Sequence, residues 1–583
     1  MPAGKIGTFK SHPQMIEGQA VMGAGYDFII VGGGSAGCVL ANRLSARAAN
    51  RVLLLEAGRD TPPGGEPADV RDTYPTSYYN RAYVWGGLNG HWRRADDSPR
   101  VPFRQARILG GGSSVMGMVA LRGTPDDYAE WVALGADGWG WDNVLPFFQK
   151  LETDTDFGEA ALHGREGPVP IRRLPEAQWP PLMRALADYV GNREIARIDD
   201  FNADFHDGFG PVPISKFADK RASSAICYLD AATRARPNLT VATEAEVQRI
   251  AFEGTRATGV AARVGGQVTD FVAREVIVSA GALQSPTMLL RAGIGPADEL
   301  AAAGIPVVAD RRGVGGNLHN HQTLLLVAHL TRAALPPAGQ RAHTSATWRY
   351  SSGIADCPKS DMYISFVGQT GWHALGRRLS ALTPAVLKPF SRGRLRLDPA
   401  DPAGPPQITF DFRADPRDRA RHADAVRRAA AMLLSPEVRP LWRSAFPVAR
   451  TDRLRHLNDV TAYNALRAKA ISAVLDLLPA ASRPVVGTMS QPGIDVARIA
   501  ADDDALAAFV EDSVAGSAHH AGTCRMGRRD DPDAVTDPQG RVYGVTGLRV
   551  VDASLMPWVP RGNTNLPTLM LAEKVAAAIL ADS

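Results

Sequence analysis

The sequence predicts an α/β protein in which a doubly wound, largely parallel sheet is interrupted by an α+β domain carrying an antiparallel sheet. Three observations predict it. Short runs rich in β-branched residues alternate with helical stretches near the start and again towards the end, as βαβ units require. A glycine-rich turn joins the first such run to the first helix. Between roughly residues 331 and 504 the texture changes to antiparallel-looking strands and one long amphipathic helix. At 583 residues the chain also exceeds the roughly 250 to 300 residues at which a single core stops growing, so at least two domains are expected.

Residues 1–25 read as an N-terminal arm, because Lys5, Lys10, His12 and Glu17 interrupt any apolar stretch of the length a secretory signal needs. Asp27 to Val31 reads as a strand that ends abruptly in Gly32-Gly-Gly-Ser-Ala-Gly37. Cys38 to Leu44 has helical spacing and Arg51 to Glu56 is a second buried strand, which completes one βαβ unit. The strand Glu275 to Ser279, the helix Leu283 to Ala292 and the strand Arg549 to Asp552 have the same character and are expected to return to that first sheet. This assigns 26–330 to the first domain with its covering segments, 331–504 to an insertion, and 505–583 to the return. Inside the insertion, strands are expected at Asp361 to Phe366 and Gly393 to Leu397, a helix at Arg417 to Leu434, and Pro-rich loops at 399–406 and 479–492. The stretch Gly368 to Phe390, with Trp372, His373, Leu375, Leu382 and Leu387, fits a pocket lid and a surface helix equally well.

Composition excludes several classes. With 45% hydrophobic and 22% charged residues the chain can bury sizeable cores. Sixty-five basic against 61 acidic residues leave a net charge of +4, and the arginines are scattered, so nothing points to a nucleic-acid or membrane-surface role. Cys38, Cys227, Cys357 and Cys524 lie far apart with no C-x-x-C pair, which favours a reducing, cytoplasmic setting over a disulfide framework and suggests no metal site. No run approaches the roughly 18 apolar residues of a membrane span.

The chemistry-bearing pattern is Gly32-x-Gly34-x-x-Gly37, placed directly after a strand and opening a helix. There Gly32 permits the tight turn, Gly34 clears space for a pyrophosphate, and Gly37 lets helix and strand pack closely. Glu56, at the end of the second strand, is placed to accept hydrogen bonds from ribose hydroxyls. A dinucleotide site follows, and the pattern alone leaves FAD and NAD both open. Arg107-Ile-Leu-Gly-Gly-Gly-Ser-Ser-Val115 suits close backbone approach to a cofactor, while Ser279 to Arg291 reads as a strand end, a turn and a helix start.

Taken with Arg122-Gly123, with Ala518-His-His-Ala-Gly-Thr-Cys-Arg-Met-Gly527 and with Gly562-Asn-Thr-Asn-Leu-Pro567, these runs resemble the glucose-methanol-choline (GMC) family of FAD-dependent alcohol oxidoreductases over nearly everything after Tyr26. The resemblance implies a Rossmann-like FAD-binding domain and an inserted α+β substrate-binding domain. It places the family's H-x-x-G-T pattern on His519, Gly522 and Thr523, so His519 is the expected acid/base beside the flavin, a role an imidazole suits because it titrates near neutral pH. His520 is the rival base. Asn563 matches the partner position, able to donate to a substrate oxygen as negative charge develops. The stretch 564–580 reads as a helix with Pro567 in its first turn, its positive end towards the flavin.

The same resemblance marks Asp552 and Ala553 near the flavin and Val247 at the adenine, and Ser35, Ala36, Gly112, Ser113 and Asn565 complete the expected cofactor-binding set. Val115 stands where some members attach FAD through a histidine, so non-covalent FAD is expected, and Met116 replaces the usual asparagine. The implied reaction is oxidation of a primary alcohol to an aldehyde with hydride passing to the flavin, and Glu130 to Trp139 and Gly540 to Arg549 resemble members acting on furanic and aromatic alcohols. Oxygen and another electron acceptor are both open. A lyase or photodecarboxylase on the same fold is the alternative, and the histidine at 519 argues against it.

Overall fold

The structure is a computed structural model that describes residues 25–337, 339–448, 456–477 and 495–582. The N-terminal arm up to residue 24 and the Pro-rich stretch 479–492 lie outside the described residues. The first sheet has seven strands. Its parallel part runs in the order Leu548–Val550, Gln267–Val278, Tyr26–Val31, Val52–Leu55, Leu239–Ala242. Phe28 to Ile30 and Val52 to Leu55 are almost wholly buried, which is why these strands are continuous apolar runs without polar alternation. Gln267–Val278 serves two pairings: its second half lies parallel to Tyr26–Val31, and its first half pairs antiparallel with Arg256–Val264, which continues to Ala245–Glu253.

From Tyr26–Val31 the chain passes through the helix Ser35–Ser45 to the neighbour on one side, whereas Gln267–Val278 lies on the other. The turn after Val31 is therefore the topological switch point, where open α/β sheets bind ligands. The C-terminal helix Asn565–Asp582 packs on Ser35–Ser45. The expected strand at 549–552 and the helix at 283–292 appear as Leu548–Val550 and Gly281–Arg291.

The second sheet is antiparallel, in the order Trp442–Pro447, Leu326–Leu330, Leu379–Val386, Met362–Val367, Thr344–Tyr350, Gly208–Pro211. Gln322–Thr323 joins it to Ala515–Gly516. The helix Pro416–Leu434 crosses one face and buries Ala425, Val426, Ala429, Ala430 and Leu433 against Leu326, Ala328, Ile364 and Phe366. The sheet draws strands from before residue 331 and from after 504, so its body is not one contiguous insertion. The expected strand at 393–397 forms as Arg394–Arg396, but in a separate sheet with Gln407–Thr409, Asn89–His91 and Val101–Pro102. Leu395 and Ile408 join the core of the first domain there; period-2 alternation predicts a strand without naming its sheet.

The stretch 368–390 is neither a surface helix nor a separate lid. Leu379–Val386 is an interior strand with Leu382 in the sheet core, and the preceding loop together with Leu379 faces a cavity. Among the described residues no helix is long and apolar enough to cross a membrane.

Candidate active site

The Gly32–Gly37 turn forms the floor of a cleft at the switch point. Gly32 adopts φ +101°, a conformation only glycine takes without strain. A Cβ on Gly37 would lie 1.9 Å from the Gly32 carbonyl oxygen, so that glycine serves helix packing. A Cβ on Gly34 or Gly112 would meet no protein atom closer than 3.9 Å and would project into open space. Backbone can therefore approach a pyrophosphate at both places, as FAD binding needs. Gly32, Gly34, Ser35, Ala36, Glu56, Gly112, Val247, Asp552 and Ala553 all line this cleft.

The Ser35 hydroxyl donates to Asn565 Oδ1 at 2.7 Å, which ties together the first residues of two helices whose N-termini converge here. Two positive helix ends at one cleft favour phosphate and reduced-flavin negative charge.

Glu56 accepts the Gly33 N–H at 2.8 Å and the Gly58 N–H at 2.7 Å. Burial pushes its carboxyl up to about 7, against the opposing pull of those two N–H groups. It holds the turn in shape at the wall of the cleft. Ser113 differs from its neighbours: its hydroxyl is tied to the Gly110 carbonyl at 2.5 Å and to Ser224 at 2.9 Å, and it does not line the cleft. Its contribution is to fix the 110–113 turn. Val115 is fully buried with Val70, Tyr83 and Ile108 and offers no nucleophile, whereas Met116 does line the cleft.

The histidine pair lies on a segment that runs antiparallel to residues 319–323. Gln322 pairs with Gly516 and His319 with Ala521, so three steps on one side face five on the other. Ala518 sits in that irregularity with φ +62°, a left-handed conformation strained for an alanine. The excursion turns His519 across to His321, with Nδ1 of one ring 2.8 Å from Nδ1 of the other. On its far side, His519 Nε2 accepts from the Asn563 amide at 3.1 Å. Asn320, next to His321, accepts the His519 backbone N–H at 2.9 Å and so fixes the backbone beneath the ring. Burial pushes the His519 imidazole down to about 4.

His520 has different surroundings. Its ring stacks on Phe410 at 5.4 Å and tilts against Phe103 at 5.8 Å, and burial, with His519 beside it, pushes it down to about 3.

Asn563 is held by an ionic pin beneath its loop. The Asp127 carboxylate accepts the Arg561 N–H at 2.8 Å and pairs with the Arg561 guanidinium at 2.7 Å, while Lys388 bridges Asp127 at 3.2 Å and the Val559 carbonyl at 2.9 Å. Neither this pin nor His321 carries a local sequence pattern. Asp127 had no visible link to a loop more than 400 residues away, and His321 could have been suspected only from the short His319-Asn-His321 run.

A second cavity of about 510 Å³ lies under the antiparallel sheet, walled by Tyr78, Tyr79, Trp92, Phe103 and Phe446. Thr370, His373, Leu375 and Gly376 of the loop before Leu379–Val386 close one side. Arg104, Ala518 and His520 line both this cavity and the cleft, so the two spaces meet at the histidine turn. Among the described residues the one cluster with metal-ligand character, Glu152, Asp154 and His163, lies elsewhere and is already paired with Arg122 and Arg173.

Known proteins match this architecture over about 95% of its length. Residues 26–323 and 389–572 match the N- and C-terminal models of GMC oxidoreductases. The chain is 41% identical to 5-(hydroxymethyl)furfural oxidase of Methylovorus sp. (strain MP688), covering 95% of this chain and 98% of that protein. It is 32% identical to oxygen-dependent choline dehydrogenase of Photobacterium profundum, covering 96% and 94%. The crystal structure of pyridoxine 4-oxidase from Mesorbium loti superposes with a TM-score of 0.77 at 27% identity, covering 95% of this chain and 99% of that one. With the cleft, the histidine turn and these matches in agreement, the chain belongs to the GMC oxidoreductase family and is an FAD-dependent enzyme acting on alcohols.

Proposed function

We propose that the enzyme oxidises aromatic or furanic primary alcohols to aldehydes, with His519 as the base and oxygen as the electron acceptor. The observation that carries this reading is the junction of an aromatic-walled cavity with the cofactor cleft at Ala518 and His520. A flat ring fits between aromatic walls, and a hydroxymethyl arm would then reach the histidine turn. FAD, when bound, supplies the hydride acceptor. An alcohol inserted between His519 and Asn563 would donate its hydroxyl proton to Nε2 and accept from the Asn563 amide, replacing their 3.1 Å contact. Val115 in its apolar cluster supports non-covalent FAD, and four unpaired cysteines support a cytoplasmic setting.

A second reading assigns the base to His520, because that ring lines both spaces. Two measurements test the proposal. Anaerobic mixing with aromatic, furanic and aliphatic alcohols should bleach the flavin fastest with the first two, and admitted air should restore it within the turnover time. Bleaching by aliphatic alcohols alone would remove the substrate reading, and a flavin that stays bleached in air would remove the oxidase reading. Acid precipitation should release the flavin into the supernatant.

A further inference from the structure

The two rings, the amide and the carbonyl that meet at His519 and His321 form a chain whose proton positions follow from what each end can do. His321 Nε2 lies 3.0 Å from the Pro560 carbonyl oxygen. A carbonyl only accepts, so that nitrogen carries a hydrogen. In a neutral His321 the lone pair is then on Nδ1, the atom that faces His519 Nδ1 at 2.8 Å. A contact of that length between two ring nitrogens holds one hydrogen, which must belong to His519. His519 Nε2 is left with the lone pair, consistent with the Asn563 amide donating to it at 3.1 Å.

We propose that His321 is the positioning residue that fixes His519 in the Nδ1–H tautomer, so that Nε2 is unprotonated and aimed at the alcohol. This rests on the reading of His519 as the base. His321 suits the task because it is fully buried, and because its strand register against residues 515–521 sets its Nδ1 against His519 Nδ1. Burial above all, with His519 beside it, keeps His321 neutral, and the nearby charges Lys388 and Asp127 are paired with each other at 3.2 Å. The chain ends on a carbonyl with no proton to exchange, so the pair orients and does not conduct. The proton taken at Nε2 leaves by Nε2.

The test compares His321→Leu with His321→Gln in the FAD-loaded enzyme. A leucine removes the acceptor, and His519 then gains access to the Nε2–H tautomer, which cannot take the alcohol proton. Anaerobic flavin reduction should fall roughly 10- to 1,000-fold, less than the roughly 10,000-fold loss of a catalytic histidine locked in the wrong tautomer, because His519 here populates both forms. A glutamine carbonyl can accept from Nδ1–H while its amide donates to Pro560, so His321→Gln should recover to within about tenfold of wild type. A merely structural role predicts losses that track the melting temperature without this rescue.

Nitrogen NMR of the histidine-labelled wild-type enzyme reads the tautomers directly, whether or not the leucine variant folds. Nδ1–H on His519 and Nε2–H on His321 are expected, and the opposite assignment overturns the proposal. So does a folded, FAD-loaded His321→Leu enzyme with wild-type reduction, or a glutamine variant as slow as the leucine one. If His519→Ala itself reduces normally, the base reading has failed. If that variant is inactive while His321→Leu is normal, only the positioning role has failed.

Discussion

His163 and His519 both commit each ring nitrogen to a hydrogen bond, yet their neighbours drive them in opposite directions. His163 meets Glu152 at 2.9 Å and Asp200 at 2.6 Å, with Asp154 at 3.2 Å, inside a nest closed by Arg122 and Arg173. Burial alone would lower its pKa, but hydrogen bonds to the three carboxylates outweigh it and raise it to about 10. His519 meets a neutral histidine and an amide, so nothing offsets burial and the ring is pushed down to about 4. The first is a fixed cation in a structural ion cluster. The second is a neutral imidazole in the turn where cleft and cavity meet, and the difference lies in partner charge.

The comparison breaks most visibly in rate. His519→Ala should slow anaerobic flavin reduction by roughly 100- to 10,000-fold, the usual span for a general base, with FAD still bound and the melting temperature little changed. His520→Ala should slow it much less. In the wild-type enzyme the reduction rate should fall as pH drops through about 4, well below the 6.5 of a free imidazole, because only there does His519 take up a proton. A stopped-flow profile with its inflection at 6.5 or above would show that His519 is not desolvated before the alcohol binds.

The converse substitution, His163→Leu, should leave flavin reduction intact and destabilise the fold by about 3 to 5 kcal/mol, since it strands buried carboxylates opposite too few cations. Thermal unfolding checks this. The sign with pH follows from the raised pKa. The stability His163 contributes is complete below about pH 6.5 and is lost as pH rises towards about 10, where the folded protein gives up the proton. A wild-type melting temperature that falls across that window, with a His163→Leu protein that does not follow it, is the expected result.

These two histidines also mark what sequence could and could not disclose. His519 was legible because its neighbours in sequence, Gly522 and Thr523, are part of the pattern that identifies it, and the Gly32–Gly37 turn was legible because strand, turn and helix are local. Their partners were not. His321 reaches His519 across 198 positions through a strand pairing of two residues, and the nest around His163 gathers Arg122, Glu152, Asp154, Arg173 and Asp200 by tertiary packing alone. The same limit explains Ser113, whose hydroxyl donates to the Gly110 carbonyl and accepts from the Ser224 N–H. It explains Gly208–Pro211 too, which has no local feature to show that it borders the antiparallel sheet.

A smaller effect tests the cleft that both histidines leave untouched. Glu56→Ala removes a carboxylate that holds Gly33 and Gly58 and lines the cofactor cleft, so FAD affinity should weaken by about 1 to 3 kcal/mol if it also binds ribose. Equilibrium titration of the apoprotein with FAD measures it. Affinity equal to wild type would restrict Glu56 to the turn and exclude contact with the ribose.

The smallest expected effect concerns backbone, and here too the two sites differ. None of Glu152, Asp154, His163 or Asp200 has a positive φ, whereas Ala518, next to His519, sits at φ +62°. A left-handed alanine carries a steric cost that glycine does not, and glycine in turn loses more chain entropy on folding. The two terms nearly offset, so Ala518→Gly should change stability by no more than about 1 kcal/mol, towards stabilisation. The rate should respond in the other direction, because the strained turn is what carries His519 across to His321 and Asn563. A glycine there widens the range of orientations, and flavin reduction should slow by a few-fold while its pH inflection stays in place. If Ala518→Gly instead destabilises by more than about 2 kcal/mol, the left-handed turn is relaxed by contacts of the alanine methyl, and the strain belongs to packing and not to the aiming of the base.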